Sequence, residues 1–206
     1  MLTVADVSAL LKPSRITAQD FSSRAGLPGF SDDMMRLHLD LYQGYVDATN
    51  SLMDLLGNGR VPKEAARELQ RRLGWEYNGV RLHEVYFGAL STDPAPGPQD
   101  QTATVIEGSY GDIDAWWEAF SDVAKSRGIG WAILTYDPVA DQVLNTWVDE
   151  HDIGVLAGTT PLVVTDLFEH AYLRQFRTDR RAYLDAFREA LDWDFIEARL
   201  AQVRRA

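Results

Sequence analysis

Four histidines, His38, His83, His151 and His170, hold most of the chemical potential of this 206-residue chain, which has no cysteine. Disulfides, iron–sulfur clusters and thiolate zinc sites are thereby excluded, and any metal must be held through nitrogen and oxygen. The densest group is Asp166-Leu167-Phe168-Glu169-His170-Ala171-Tyr172, where a carboxylate and an imidazole stand four residues apart at an expected strand-to-helix junction. Asp166 ends the apolar run Pro161-Leu162-Val163-Val164, and a carboxylate there either caps the next helix or binds something. His38, Tyr42 and Tyr45 fall at i, i+4 and i+7 and share one stripe of a helix. His83 precedes Tyr86, Phe87 and Leu90 at i+3, i+4 and i+7, which sets a second imidazole on an apolar face. Two roles stay open for these histidines: core residues satisfied by a hydrogen bond, or metal ligands.

The elements that must position these residues follow from periodicity. Apolar residues from Met34 to Leu55 recur at helical spacing, predicting one long helix over Asp32–Leu56 with Ser31 as N-cap and Gly57 as stop. Pro62 opens a second helix over Lys63–Leu73, and Val80–Leu90 forms a third. Residues 91–102 contain three prolines and a glycine without apolar periodicity, the composition of a linker. It separates a helical domain, 1–90, from a second domain, 103–206. There, a helix over Ile113–Ser126 is followed by β-rich runs Trp131–Tyr136 and Gln142–Val148 around an Asp137-Pro138 turn. Leu156–Val164 reads as a third strand, and Leu167–Arg177, Asp179–Leu191 and Trp193–Val203 as helices. The fold class is α+β, a helical hairpin domain followed by an α/β domain with a three-stranded antiparallel sheet.

Composition narrows the function classes. With 46% hydrophobic and 25% charged residues, the chain can bury a real core. The net charge of −11 argues against nucleic acid, whose phosphates need a basic face, and offers no global attraction for an anionic substrate. Met1–Pro13 lacks the basic and long apolar regions of a signal peptide, and no run nears the ~20 apolar residues of a membrane span. Cytoplasmic residence, without membrane or nucleic-acid partners, is the default expectation.

Taken together, these segments resemble one family. Asp166 to Leu173 is similar to the D-x-W-E-H-A-Y-Y signature of iron/manganese superoxide dismutases, with Phe168 in place of tryptophan and Leu173 in place of the last tyrosine. Arg180 to Phe187, Leu191 to Asp194 and Gly128 to Ala132 look like that family's N-R-R-P-D-Y-x-x-A-F, V-N-W-D and G-S-G-W-A segments. His83 to Leu90 resembles N-H-x-x-F-W-x-x-L, and His38 to Val46 resembles its first metal-binding helix. The resemblance implies one iron or manganese per chain on His38, His83, Asp166 and His170, with water or hydroxide as fifth ligand, and superoxide disproportionated to oxygen and hydrogen peroxide. Zinc fits less well, since four protein ligands would close its tetrahedron. His151 takes the place of the glutamine that hydrogen-bonds the bound solvent, the alternate donor position being Gly79. Tyr45 matches the tyrosine that relays protons at the mouth. Arg180 or Arg181 could supply local positive charge for the anion, a helix-face salt bridge being the alternative for either one. Glu169 matches the glutamate that reaches the partner subunit's ligand histidine, implying a homodimer.

Three departures from the family pattern bear on the site. His38 and Tyr45 are seven residues apart where the family has eight, which implies a regular helix rather than one with an extra residue. A register slip would instead put Leu37 over the first ligand. The family's mouth histidine is replaced by Tyr42 and a partner-subunit tyrosine by Leu173, an altered gate. Two other readings are an iron- or manganese-dependent oxidoreductase acting on an organic substrate or peroxide through a widened pocket, and a metal-free structural homologue.

Overall fold

In the computed structural model, residues 14–57 and 61–205 are described; the signal-peptide reading of Met1–Pro13 lies outside them. Two long helices come first, α1 (Asp32–Gly57) and α2 (Lys63–Gly88). Then come α3 (Asp100–Tyr110), α4 (Ile113–Ala124), strands β1 (Gly130–Asp137), β2 (Gln142–Asp149) and β3 (Thr160–Asp166), and helices α5 (Glu169–Phe176), α6 (Arg180–Glu189) and α7 (Trp193–Arg204). The α+β reading holds. Among the described residues no helix is long and apolar enough to cross a membrane.

α1 follows the expected stripe. Met34, His38, Tyr42, Val46 and Asn50 are buried at steps of four, and Ser31 caps the start through its hydroxyl, which accepts from the Met34 N–H. Asn50 ties down the segment preceding the helix by accepting from the Ile16 N–H (2.8 Å) and donating to the Ile16 carbonyl (2.9 Å). The two helices expected over Lys63–Leu73 and Val80–Leu90 are one. α2 runs unbroken through Gly74, whose helical penalty of about 1 kcal/mol is outweighed by the burial of nearly every residue from Gly79 to Gly88.

α3 begins at Asp100, inside the stretch read as a linker, so only residues 91–99 are irregular. Its first turn is capped by tertiary contact. The Glu197 carboxylate on α7 accepts from the Thr102 N–H (2.8 Å) and hydroxyl (2.6 Å). Helices α4, α6 and α7 are capped locally, by Asp112, Asp179 and Asp192.

The sheet has order β2-β1-β3, antiparallel throughout, with Asp137 opposite Gln142 and Trp131 opposite Asp166. β1 is buried along nearly its whole length because it is the central strand between flanking helices. β3 starts at Thr160 rather than Leu156; Gly158, at φ +81°, turns the chain just before it. The last residue of β3 is Asp166, and the helical and sheet halves meet where α1 and α2 pack on α5 and β3.

Gly130 opens β1 at φ +152°, and a Cβ there would strike the Val148 carbonyl oxygen of the neighbouring strand. Gly130→Ala should lower unfolding free energy by about 2–4 kcal/mol, read by urea denaturation. Gly108→Ala, at an open helical position of α3, should raise it by about 0.5–1 kcal/mol. Equal effects would contradict this account of the sheet entry.

Candidate metal centre

Four elements each supply one donor at a common point. His38 comes from α1, His83 from α2, Asp166 from the end of β3 and His170 from the first turn of α5; one ligating atom from each lies within 4.8 Å of the others. The three imidazoles all present Nε2 to one carboxylate oxygen. Asp166 Oδ2 lies 3.0 Å from His38 Nε2, 3.1 Å from His170 Nε2 and 3.6 Å from His83 Nε2. Asp166 Oδ1 accepts the Phe168 N–H at 2.8 Å. Asp166 Oδ1 thus closes a turn just before α5, whose N-cap Phe168 has no side-chain cap, and Oδ2 faces the three imidazoles.

The α1 helix is regular throughout, so seven residues return to the same face. His38 is fully buried in the cluster, while Leu37 is 36% exposed, which removes the register slip. His38 is enclosed by Tyr86 and Phe87, each with its ring centroid at 4.9 Å, and Trp131 stands edge-on to His83 at 5.0 Å.

The donor set fits a metal. The His83 Nδ1–H donates to the Gly79 carbonyl at 2.6 Å, which fixes the tautomer and leaves Nε2 as a buried lone pair without a partner. A buried, unpartnered donor or acceptor is costly, and here it faces a carboxylate and two further imidazoles. Burial pushes the His83 imidazole down to about 3, the neighbouring His38 adding to the effect. Burial alone would raise the Asp166 carboxyl, but the charge of His170 and hydrogen bonds from His170 and His38 hold it well below the usual carboxylate range. Burial depresses His170 too, yet facing Asp166 leaves it raised on balance. Three nitrogens and one anionic oxygen suit iron or manganese.

A second ring of residues stands behind the cluster. His151 is fully buried and lies on the Phe168 ring, the centroids 4.8 Å apart. Its Nδ1 accepts from Trp131 Nε1–H at 3.0 Å, so the proton of the neutral ring sits on Nε2, 2.8 Å from the Tyr45 hydroxyl. Burial pushes His151 down to about 4 and raises the Tyr45 phenol far above its ordinary value. A Cβ on Gly79 would lie 2.6 Å from the Tyr45 ring. The glycine makes room for the tyrosine.

Two expectations change. Tyr42 does not stand at a mouth: it is 3% exposed, accepts the Gln19 N–H at 2.9 Å and donates to Glu84 at 3.2 Å. The segment before α1 covers it. Arg180 is committed to the Ser126 and Gly128 carbonyls (2.8 and 3.0 Å) and the Tyr172 hydroxyl, while Arg181 points outward near Asp185. Neither is free to supply charge at the cluster. Trp131 and Trp75 were missed as site residues. Trp75 lies four residues before Gly79, a spacing that puts the two on the same helix face and was available in the sequence.

Residues 98–199 match the model of the C-terminal domain of iron/manganese superoxide dismutases. The chain is 35% identical over 174 residues to manganese superoxide dismutase 2 of Halobacterium salinarum, covering 83% of this chain and 86% of that one. It is 32% identical to the iron superoxide dismutase of Pyrobaculum aerophilum (84% and 85%) and 28% identical to the manganese/iron enzyme of Aeropyrum pernix (85% and 85%). The chain belongs to the iron/manganese superoxide dismutase family.

His151 is held neutral in the folded chain, whereas an unfolded imidazole takes up a proton below about pH 6.5. With chelator present, stability due to this group is full above pH 6.5 and falls as pH drops toward 4, by about 1.4 kcal/mol per pH unit. His151→Gln should remove one proton's share of that slope in urea denaturation across pH 4–6.5. An unaltered slope would contradict the buried, neutral assignment.

Proposed function

We propose that the protein disproportionates superoxide to oxygen and hydrogen peroxide at one iron or manganese per chain held by His38, His83, Asp166 and His170. The observation that carries this reading is the convergence of three Nε2 atoms on Asp166 Oδ2, one of them a buried lone pair with no partner. Relatives named for manganese, for iron and for either metal leave both in the proposal. When bound, the metal supplies the one-electron couple by which one superoxide is oxidised and a second reduced.

The chain's own task is then protons and access. The reduced superoxide leaves as hydrogen peroxide only after gaining two protons. Tyr45, half-buried, accepts from His151 Nε2–H and keeps its own hydroxyl proton to donate, and its raised pKa keeps that proton in place at neutral pH. Trp131 holds His151 in the tautomer that makes this arrangement possible. His151 and Tyr45 are in this reading the groups that tune bound solvent and relay protons. The burial and hydrogen bonds of Tyr42 argue against a pocket widened at that residue for an organic substrate.

We read the assembly as a homodimer. Glu169 is exposed beside His170, and Leu173, one turn on, is 42% exposed, which presents a carboxylate and an apolar side chain on the face next to a ligand. Residues 1–90 and 103–206 act as two units contributing two donors each.

Elemental analysis and a superoxide assay test the function. The purified protein should carry iron or manganese near one per chain and turn over superoxide, and Asp166→Ala should lose both. Protein devoid of both metals would overturn the proposal. Glu169→Ala should shift the mass in analytical ultracentrifugation toward the monomer and reduce metal retention; an unchanged dimer with full metal would remove Glu169 from the interface.

A further inference from the structure

His151 and Tyr45 are enclosed on their outer side by a residue of α2. The Trp75 ring stands edge-on to His151 with centroids 4.4 Å apart and is tilted against Tyr45 at 5.6 Å. Its indole N–H donates to Glu150 Oε2 at 2.7 Å. The Arg72 guanidinium lies 3.8 Å from the ring centroid and is itself paired with Glu76 at 2.8 Å.

Glu150 is the residue before His151, and its backbone is left-handed, φ +49°. Non-glycine residues hold that conformation when their surroundings over-determine it. Three contacts do so here: the Glu150 N–H donates to the Ile129 carbonyl (3.1 Å), its carboxylate takes the Trp75 N–H, and Asn78 Nδ2 donates to the His151 carbonyl (2.9 Å). The left-handed turn sends Glu150 outward to Trp75 and His151 inward to Trp131 and Tyr45. Two of the three contacts come from α2, the helix that also carries His83.

We infer that Trp75 and Glu150 form a latch across the two halves of the molecule, and that Trp75 is a positioning residue: it fixes the His151–Tyr45 hydrogen bond and shields it from bulk water. This rests on the proposed roles of His151 and Tyr45 for its consequence in turnover, but not for its structural content. Arg72 and Glu76 hold the outer face of the ring. The latch acts on the outer pair and leaves the four converging donors untouched.

Two readouts on the full-length protein as purified test it: deuterium exchange at the His151 ring C2–H, measured by mass spectrometry, and kcat for superoxide. Trp75→Ala should raise His151 exchange by about tenfold and lower kcat by about tenfold, the lower end of effects seen for outer-shell partners. Metal content should stay at the wild-type level. Trp75→Phe keeps a ring but loses the N–H, and its smaller change should match that of Glu150→Ala. The double variant Trp75→Phe/Glu150→Ala should be no worse than either single one, since both break one bond. If Trp75→Ala folds, as judged by circular dichroism and melting, and His151 exchanges at the wild-type rate, the latch is overturned. Additive effects of Trp75→Phe and Glu150→Ala would overturn it too. Absence of turnover in the wild type defeats the proposed function alone, and the exchange rates still decide the latch.

Discussion

One buried carboxylate oxygen, Asp166 Oδ2, faces three imidazole nitrogens, and the rest of the fold is arranged to make that possible. A carboxylate removed from water costs several kcal/mol unless it is paired. Each of its partners arrives on a different element, so the two long helices, the end of the central sheet and the first turn of α5 must meet at one place. The meeting also divides the work of Asp166: one oxygen closes the turn between strand and helix, and the other faces the three imidazoles.

The straight α1 helix is the clearest case of geometry deciding between readings. With His38 and Tyr45 seven positions apart and regular helical turns, both fall on one face, His38 inside the cluster and Tyr45 against His151. Tyr42, on the same stripe, is drawn into a separate network with Gln19 and Glu84, so an aromatic that looked like part of a gate instead anchors the segment before the helix. Gly79 completes the arrangement by leaving room for the Tyr45 ring.

Spacing put Asp166 and His170 four residues apart and two histidines on apolar helical faces, but left core and ligand roles open; the four were joined into one set only by the resemblance to the superoxide dismutase signature. The sheet was also legible, since β-branched runs flank an obvious turn. What was not legible depends on distant partners. α3 is capped by Glu197, nearly a hundred residues away, so its weakly apolar start read as linker. α2 survives Gly74 because its far end is buried on all sides, a tertiary gain that propensity does not record. The fates of Tyr42 and Arg180 were set by backbone groups of other segments, and the tautomer of His151 by Trp131 across the sheet.

The central claim is that one metal sits among these four side chains. Anomalous diffraction from crystals of the purified protein, collected on either side of the iron and manganese absorption edges, tests it most directly. The account predicts a single peak per chain between the Nε2 atoms of His38, His83 and His170 and Oδ2 of Asp166, appearing at one of those two edges. A chain with no peak at either edge, or with its peak away from these atoms, would contradict it.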